Sequence, residues 1–284
     1  MWFPVKKCRR HCNKQERRFD YRNSKSFVKT EKEFAISYGS GHAQGFVGID
    51  SFSFGGHLVK NQAIGVAQWS GNRLGRDVDG IFGLGSPKLL IIEGSKTALQ
   101  NMVEQGVIPK HQFSFLLRHF EGPSLLSIGG YDESLVNGSV HWAPVNHPSR
   151  WAVNVNGVSV GNKIVPSNTS ALIDSGTSLL LISNSALDSI ANLLKATKVR
   201  SGNYQVACEG LPDLEFSING VNFAIENSEY ALQDDDYTVD DGKCSLAIRG
   251  VDFEVWVLGD VFMRNKLVIF DADENKIGFA TVKK

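Results

Sequence analysis

The sequence has no excess of charge of either sign and no long apolar run. Lys plus Arg and Asp plus Glu number 30 each in 284 residues, so the formal net charge is zero. A chain without a global positive field is not drawn as a whole to nucleic acid or to an acidic membrane surface. No window reaches the roughly 18 uninterrupted apolar residues of a membrane span. We therefore predict no nucleic-acid partner and no membrane association.

Cysteine is scarce, and its placement conflicts with the first residues of the chain. Cys8 with Cys12 and Cys208 with Cys244 form two plausible pairs by position, which fits an oxidising compartment. The opening residues, however, lack the apolar stretch of a secretory signal peptide. Either the chain is a mature or incomplete part of a longer secreted precursor, or the cysteines stay reduced in the cytosol. We favour the first explanation.

Three patterns that resemble ligand sites are incomplete. The segment 8–12 could supply three zinc ligands, but no second Cys/His cluster lies near it in sequence. The acidic run within 234–241 would need Glu at the twelfth loop position of an EF-hand, where Ser245 stands. The glycines within 39–45 have dinucleotide-loop spacing, but a strand pattern follows them instead of a helix. We expect no metal and no cofactor.

What the sequence does contain is typical of strands joined by tight turns. It has 28 glycines, 17 phenylalanines and many short Val, Ile and Phe runs. Alternating apolar residues on either side of the glycine-rich segment 39–45 predict a long β-hairpin. Short helices are predicted over 97–105, with Ser95 as the cap, and over 183–195, capped by Ser183 or Asn184. Two prolines within 142–148 suggest a passage between two domains.

The rest of the chain is organised around residues 171–181, an acidic turn between two apolar runs. The pattern places Asp174 where a buried strand ends, near the core and directed outward. Gly176 permits an unusual backbone shape, and the hydroxyls of Ser175, Thr177 and Ser178 can hold a carboxylate in one orientation. That arrangement suits catalysis. The plain alternative is an ordinary Asp-Ser-Gly turn.

A short motif recurs in the two halves. Ile81-Phe82-Gly83 and Val257-Leu258-Gly259 each place two apolar residues before a glycine. The second copy follows Asp174 by about 80 residues. An equivalent acidic turn in the first half would fall just before residue 1, so a duplicated design is expected to be truncated here.

Four motifs in order, within 36–41, 79–84, 171–178 and 257–262, together resemble the pepsin family of aspartic endopeptidases. The match runs in register over essentially the whole chain. It implies a bilobal all-β fold with a few short helices, an incomplete first lobe over 1–146 and a second lobe over 147–284. It also implies a monomeric hydrolase that takes a peptide or protein substrate in the cleft between the lobes, without a cofactor or a metal.

The resemblance assigns roles to individual residues. Asp174 matches the second-lobe catalytic aspartate, and Gly176 and Thr177 match the loop beside it. Tyr38, Gly39 and Ser40 match the flap that closes over a bound peptide. Trp2 matches the tryptophan that supports this flap. Two family disulfides are matched by Cys8–Cys12 and Cys208–Cys244.

One departure from the family pattern is serious, because the motif of the first aspartate precedes Trp2 in family members and this sequence starts there. The family mechanism divides base and acid between two carboxylates that share one proton. We therefore expect the printed chain to be inactive and its parent to be an endopeptidase of an extracellular, lysosomal or other acidic compartment. A non-catalytic peptide-binding homologue and a truncated, non-functional product are the alternatives. The missing first strands should also leave an unpaired sheet edge in the first lobe.

Overall fold

The computed structural model describes residues 1–6, 8, 18–39, 41–71, 79–89, 92–119, 122–200, 202–233 and 242–283. Within these residues the chain is built mainly of strands with short helices, which confirms the all-β prediction. None of the described helices is long and apolar enough to cross a bilayer.

The chain divides into two compact units, Met1–His111 and Gln112–Lys284. This division differs from the expected boundary between residues 146 and 147. The reason is strand pairing: residues 112–116 and 141–144 form one sheet with the two strands near the C-terminus. Residues 112–146 are therefore held in the second unit.

Among its described residues, the first unit contains one four-stranded sheet, one helix and a 3-10 turn at Tyr21–Asn23. Its elements are β1 (Trp2–Pro4), β2 (Val28–Tyr38), β3 (Gly41–Phe54), β4 (His57–Ser70) and α1 (Ala98–Glu104). The strand order is β1-β4-β3-β2, with β1 parallel to β4 and the other pairs antiparallel. The predicted long hairpin is confirmed as β2–β3, with Tyr38 paired to Gly41 at its tip.

Both faces of this sheet are packed. One face buries a cluster that includes Trp2, Phe34 and Ala43. The opposite face buries a second cluster that includes Phe46 and Val66. Because burying a large apolar side chain contributes about 1.5–3 kcal/mol, the base of the hairpin is firmly anchored on both sides.

In the part of the second unit that the structure describes, there are sheets of seven, five and four strands, ordered β14-β13-β8-β9-β18-β10-β17, β6-β5-β19-β20-β7 and β11-β12-β16-β15. A short 3-10 turn spans Glu133–Leu135. The elements are β5 (Gln112–Leu116), β6 (Leu125–Ile128), β7 (His141–Pro144), β8 (Ala152–Val160), β9 (Lys163–Ile173), β10 (Leu180–Ser183), α2 (Asn184–Leu193), β11 (Thr197–Lys198), β12 (Tyr204–Ala207), β13 (Leu214–Ile218), β14 (Val221–Ile225), α3 (Asn227–Tyr230), β15 (Ala231–Leu232), β16 (Lys243–Leu246), β17 (Ile248–Val251), β18 (Trp256–Leu258), α4 (Asp260–Met263), β19 (Lys266–Asp271) and β20 (Lys276–Thr281).

The centre of the seven-stranded sheet is formed by β9, β18 and β10. β18 runs parallel to β9, with Leu258 beside Ile173, and antiparallel to β10, with Leu258 opposite Leu180. These three side chains are buried, at 3% exposure or less. A central strand with neighbours on both sides has no free edge, so the loops that leave its end start from fixed positions.

The cap of α1 differs from the prediction. Thr97, not Ser95, is the N-cap residue: its hydroxyl accepts a hydrogen bond from the Gln100 amide at 3.1 Å. The Gln100 side chain accepts one from the Thr97 amide at 2.8 Å. This reciprocal arrangement satisfies two helix-end donors, whereas Ser95 lies two residues too early to reach them. For α2, Ser183 is the cap, as one of the two predicted options.

The predicted pairing of Cys208 with Cys244 is confirmed. The two Cα atoms are 5.0 Å apart, and the bond links the end of β12 to β16 across an antiparallel pair. Cys12 lies outside the described residues, so the Cys8–Cys12 pair remains a prediction. The acidic segment 234–241 also lies outside them.

Candidate active site

The carboxylate of Asp174 is held by donors from its own turn. Its Oδ1 accepts a hydrogen bond from the Gly176 amide at 3.0 Å, and its Oδ2 accepts one from the Thr177 hydroxyl at 2.7 Å. Bonds to an ionised acceptor are stronger than neutral ones, so both oxygens are oriented. Among the described residues, Ser175 and Ser178 donate no hydrogen bond to this carboxylate.

The end of β18 braces this turn from the other side. The Asp174 amide donates to the Leu258 carbonyl at 3.2 Å, and the Asp260 amide donates to the Thr177 carbonyl at 2.8 Å. Gly259 lies between them: a Cβ there would be 2.5 Å from the Leu179 carbonyl oxygen and closer still to that of Thr177. Only glycine permits this approach. The recurring apolar-apolar-glycine motif is thus the brace of the acidic turn.

A second carboxyl group, that of Asp260, lies at the first position of α4. Burial raises its pKa to about 6; Arg264 opposes this rise and the charge of Asp174 adds to it. From the sequence, Asp260 is one residue of the 257–262 motif, and no role was predicted for it. Asp260 directly follows the Val257-Leu258-Gly259 copy of the recurring motif, and this position could have marked it in the sequence as a candidate site residue.

The structure also contains a buried carboxylate network that sequence reasoning missed. Glu229 is 3% exposed. It accepts hydrogen bonds from Arg264 at 3.2 Å and Asn265 at 2.9 Å, and His119 Nδ1 lies 3.0 Å from it. Burial lowers the pKa of nearby Lys266 to about 8, against the effect of Glu229. These contacts fix the segment that directly follows α4.

In the first unit, Trp2 and Tyr38 are brought together from 36 positions apart. The indole nitrogen of Trp2 donates to the Tyr38 hydroxyl at 2.8 Å. Burial raises the pKa of Tyr38, and the bond from Trp2 opposes that rise. The side chain is therefore a neutral phenol at acid and neutral pH. Gly39 is exposed next to it, and Ser40 lies outside the described residues.

The sequence-predicted residues thus form two sets, each described within its own unit. Asp174, Gly176 and Thr177 form a hydrogen-bonded turn in the second unit. Trp2 and Tyr38 are in contact in the first unit. A family profile described as eukaryotic aspartyl protease matches residues 1–282.

The chain belongs to the eukaryotic aspartyl protease family. Gastricsin from Oryctolagus cuniculus is 32% identical, with 99% of this chain and 75% of the relative covered. Pepsin A from Sus scrofa is 31% identical, with 99% and 75% covered. Pregnancy-associated glycoprotein from Equus caballus is 30% identical, with 99% and 74% covered.

Membership of the aspartyl protease family confirms the resemblance found from the four motifs. The geometry of the acidic turn indicates what the Asp174 carboxylate can do chemically. A carboxylate with both oxygens fixed can take a proton from a water molecule, or hydrogen-bond a carbonyl when it is itself protonated. In either role the turn supplies the orientation before the substrate arrives, which lowers the entropic part of the barrier.

Proposed function

We propose that the protein containing this chain is an aspartic-type endopeptidase and that Asp174 is one of its two catalytic carboxylates. The observation that carries the proposal is the hydrogen-bonded Asp174 turn, with Gly176 and Thr177 each holding one carboxylate oxygen. Family membership supplies the reaction class.

The proposed chemistry uses two carboxyl groups close together, of which one is ionised and one protonated. The ionised group takes a proton from a water molecule while that water attacks the peptide carbonyl carbon. The protonated group donates to the carbonyl oxygen, and a proton is then delivered to the amide nitrogen as the C–N bond breaks. No covalent enzyme intermediate forms. Because the pair must hold one proton, the reaction is favoured at acid pH.

The substrate is proposed to be a peptide or protein segment, contacted by Tyr38, Gly39 and Ser40 on the first unit. Trp2 supports this assignment, because its bond to the Tyr38 hydroxyl sets the position of that side chain. An acid optimum places the protein in an extracellular, lysosomal or other acidic compartment. We propose that it acts as a monomer.

The proposed mechanism needs a second catalytic carboxyl group besides that of Asp174. Asp followed by Ser or Thr and then Gly occurs once in the 284 residues, at Asp174. With one aspartate of this motif, the roles of base and acid cannot be divided between two motif aspartates. We therefore propose that these 284 residues alone do not cleave peptides.

The test compares two forms of the protein. The 284-residue chain is expressed alone, and also with the upstream segment read from the nucleic acid before the Met1 codon, where an Asp-Thr-Gly-Ser coding stretch is expected. The longer form should cleave a denatured protein at acid pH, be blocked by a transition-state peptide analogue, and lose activity in Asp174→Asn. If the shorter form cleaves the protein, and this cleavage is blocked by the analogue and lost in Asp174→Ala, the proposal that the 284 residues alone do not cleave peptides is wrong.

A second candidate function is peptide binding without turnover. It is favoured by the intact Trp2–Tyr38 bond in a sequence with one Asp-Ser-Gly motif. Calorimetry with the same peptide analogue separates the two. Binding that is weakened in Tyr38→Ala, with no cleavage by the longer form, would support this candidate and reject the peptidase.

A further inference from the structure

The β2–β3 hairpin is held by aromatic contacts on both of its faces. Tyr38 and Ala43 belong to the cluster around Trp2. Successive residues of a strand point to opposite faces, so His42 lies on the other face. There its imidazole packs on the indole of Trp69, with ring centroids 4.1 Å apart and planes inclined by 35°.

The backbone around this pair brings the two rings together. Gln44 pairs with Trp69 across β3 and β4, which makes His42 the diagonal neighbour of Trp69, within reach for two rings. The Gly71 amide donates to the His42 carbonyl at 2.6 Å. A Cβ on Gly71 would lie 2.9 Å from His42 Nδ1, so a glycine lets the end of β4 approach the imidazole closely.

We propose that His42 and Trp69 form a pH-sensitive clamp on the hairpin that carries Tyr38. Protonation turns the His42 ring into a cation lying against an indole face, which is the best aromatic partner for a cation. Histidine ordinarily changes charge between neutral and mildly acid pH. At an exposed site such a pair changes an opening equilibrium by about two- to fivefold. The clamp is tighter at acid pH.

The residues paired with His42 and next to Trp69 in the sheet are uncharged. Ser37 on β2 is the partner of His42, and Ser70 follows Trp69 on β4. Neither serine side chain changes charge between pH 4.5 and pH 8. A groove of about 450 Å³ beside Trp69 is lined by Glu33, Gln44 and Gln68 among others. Of the described residues that line this groove, Glu33 is the charged one, and the test below therefore includes Glu33→Gln. The contribution of Glu33 has to be separated from that of the indole.

The functional meaning of the clamp rests on the proposed function. If Tyr38 contacts a peptide during acid-favoured hydrolysis, the hairpin is held most firmly at the pH where the reaction proceeds. His42 is then a positioning residue, since it acts through the hairpin and not on the reacting atoms. The clamp itself is a property of the first unit and can be measured without turnover.

The test is amide hydrogen exchange of the 284-residue chain between pH 8 and pH 4.5, corrected for intrinsic exchange rates. For the amides within 36–44 and Gly71, protection should rise about two- to fivefold on acidification. His42→Gln and Trp69→Leu should abolish the rise, and His42→Arg should keep protection high at both pH values. His57→Gln, which removes an exposed histidine at the other end of β4, should behave as the wild type.

Several results would overturn the clamp: no rise in the wild type, a rise that persists in His42→Gln, or a rise lost in Glu33→Gln but kept in Trp69→Leu. The last result would assign the effect to the carboxylate. Failure of the proposed function gives a different result. A longer form that never cleaves peptides, alongside an intact exchange pattern, rejects the peptidase and leaves the clamp standing.

Discussion

The Asp174 turn and the Tyr38 hairpin tip are held in different ways. The Asp174 carboxylate is fixed by groups two and three residues ahead of it, and its turn is braced by backbone bonds from the end of a central strand. Tyr38 is fixed by one side-chain bond to Trp2, 36 positions earlier in the chain. The first arrangement combines hydrogen bonds within the turn with backbone bonds to the end of β18, whereas the second has one long-range hydrogen bond supported by ring packing.

This difference bears on what each element can do. Displacing Asp174 requires breaking backbone bonds between the acidic turn and β18 at the centre of a seven-stranded sheet. Moving the hairpin tip requires the loss of one hydrogen bond and of ring contacts on its two faces. Elements with few buried contacts open at lower free energy. If Asp174 reacts and Tyr38 contacts the substrate, as proposed, a fixed carboxylate and an adjustable hairpin tip would suit a peptidase that admits long chains.

The largest difference between the two regions is expected when one methyl group is added to each and the change in the free energy of unfolding is compared. Gly259→Ala places a Cβ against the carbonyl oxygens of Thr177 and Leu179, neither of which is at the end of a flexible side chain. We expect a loss of at least about 3 kcal/mol in the free energy of unfolding. Gly39→Ala meets nothing within 4 Å and should change it by less than about 0.5 kcal/mol.

Urea unfolding of both variants against the wild type measures these values. Equal losses in the two variants would show that the brace at Gly259 does not distinguish the acidic turn from the hairpin tip. A Gly259→Ala protein that unfolds like the wild type would show that β18 can shift away from the turn at little cost.

The next effect concerns the side-chain donor to Asp174. Thr177→Val keeps the branched shape but removes the hydroxyl that donates to Oδ2 at 2.7 Å. Loss of a bond to a partly buried charge should cost about 1–2 kcal/mol at pH 7. Thr177→Ser, which keeps the donor, should cost clearly less. If the two substitutions cost the same in urea unfolding, packing of the methyl group, and not the hydrogen bond, holds the turn.

Local patterns account for what the sequence predicted well. The β2–β3 hairpin followed from alternation around a glycine-rich segment. The position of Asp174 at a strand end followed from two apolar runs flanking a polar turn. The Cys208–Cys244 pair is confirmed. In the first two cases neighbouring residues carry the information, whereas the cysteine pair, 36 positions apart, was supported by the family resemblance.

Features set by distant contacts were not predictable in the same way. The boundary of the two units depends on which strands join β19 and β20, which alternation does not state. The raised pKa of Asp260 depends on burial beside Asp174, 86 positions away. No pattern in the sequence singled out Glu229. Its burial follows from three partners contributed by two other segments.

A smaller, pH-dependent effect is expected at Asp260. Its folded pKa of about 6 lies above the ordinary value of 3.8, so the folded protein binds this proton more tightly than the unfolded chain does. Ionising Asp260 therefore destabilises the folded protein. This loss of stability is absent below about pH 4 and develops as the pH rises to about 6. Asp260→Asn removes it. Since the side chain is partly exposed and solvent screens its interactions, we expect a gain of about 1 kcal/mol at pH 7 and none at pH 4.

Unfolding free energies at the two pH values check this prediction. Asp132→Asn is the matched control, because hydrogen bonds from Ser134 lower the pKa of Asp132 and its contribution has the opposite sign. That variant should lose stability at pH 7 relative to pH 4. A gain in Asp260→Asn that is equal at pH 4 and pH 7 would mean that the substitution acts through packing and not through charge.

The smallest effect tests the single long-range bond of the hairpin tip. In a double-mutant cycle of Trp2→Phe and Tyr38→Phe, each change removes one partner of the 2.8 Å bond and keeps an aromatic ring. We expect a coupling free energy of about 0.5–1 kcal/mol, because Tyr38 is half-buried and its hydroxyl can bind water once the indole is gone. This value lies below the cost of Thr177→Val. A coupling near zero would show that the tip is held by ring packing alone, and the hairpin would then be freer to move than the geometry of Trp2 and Tyr38 indicates.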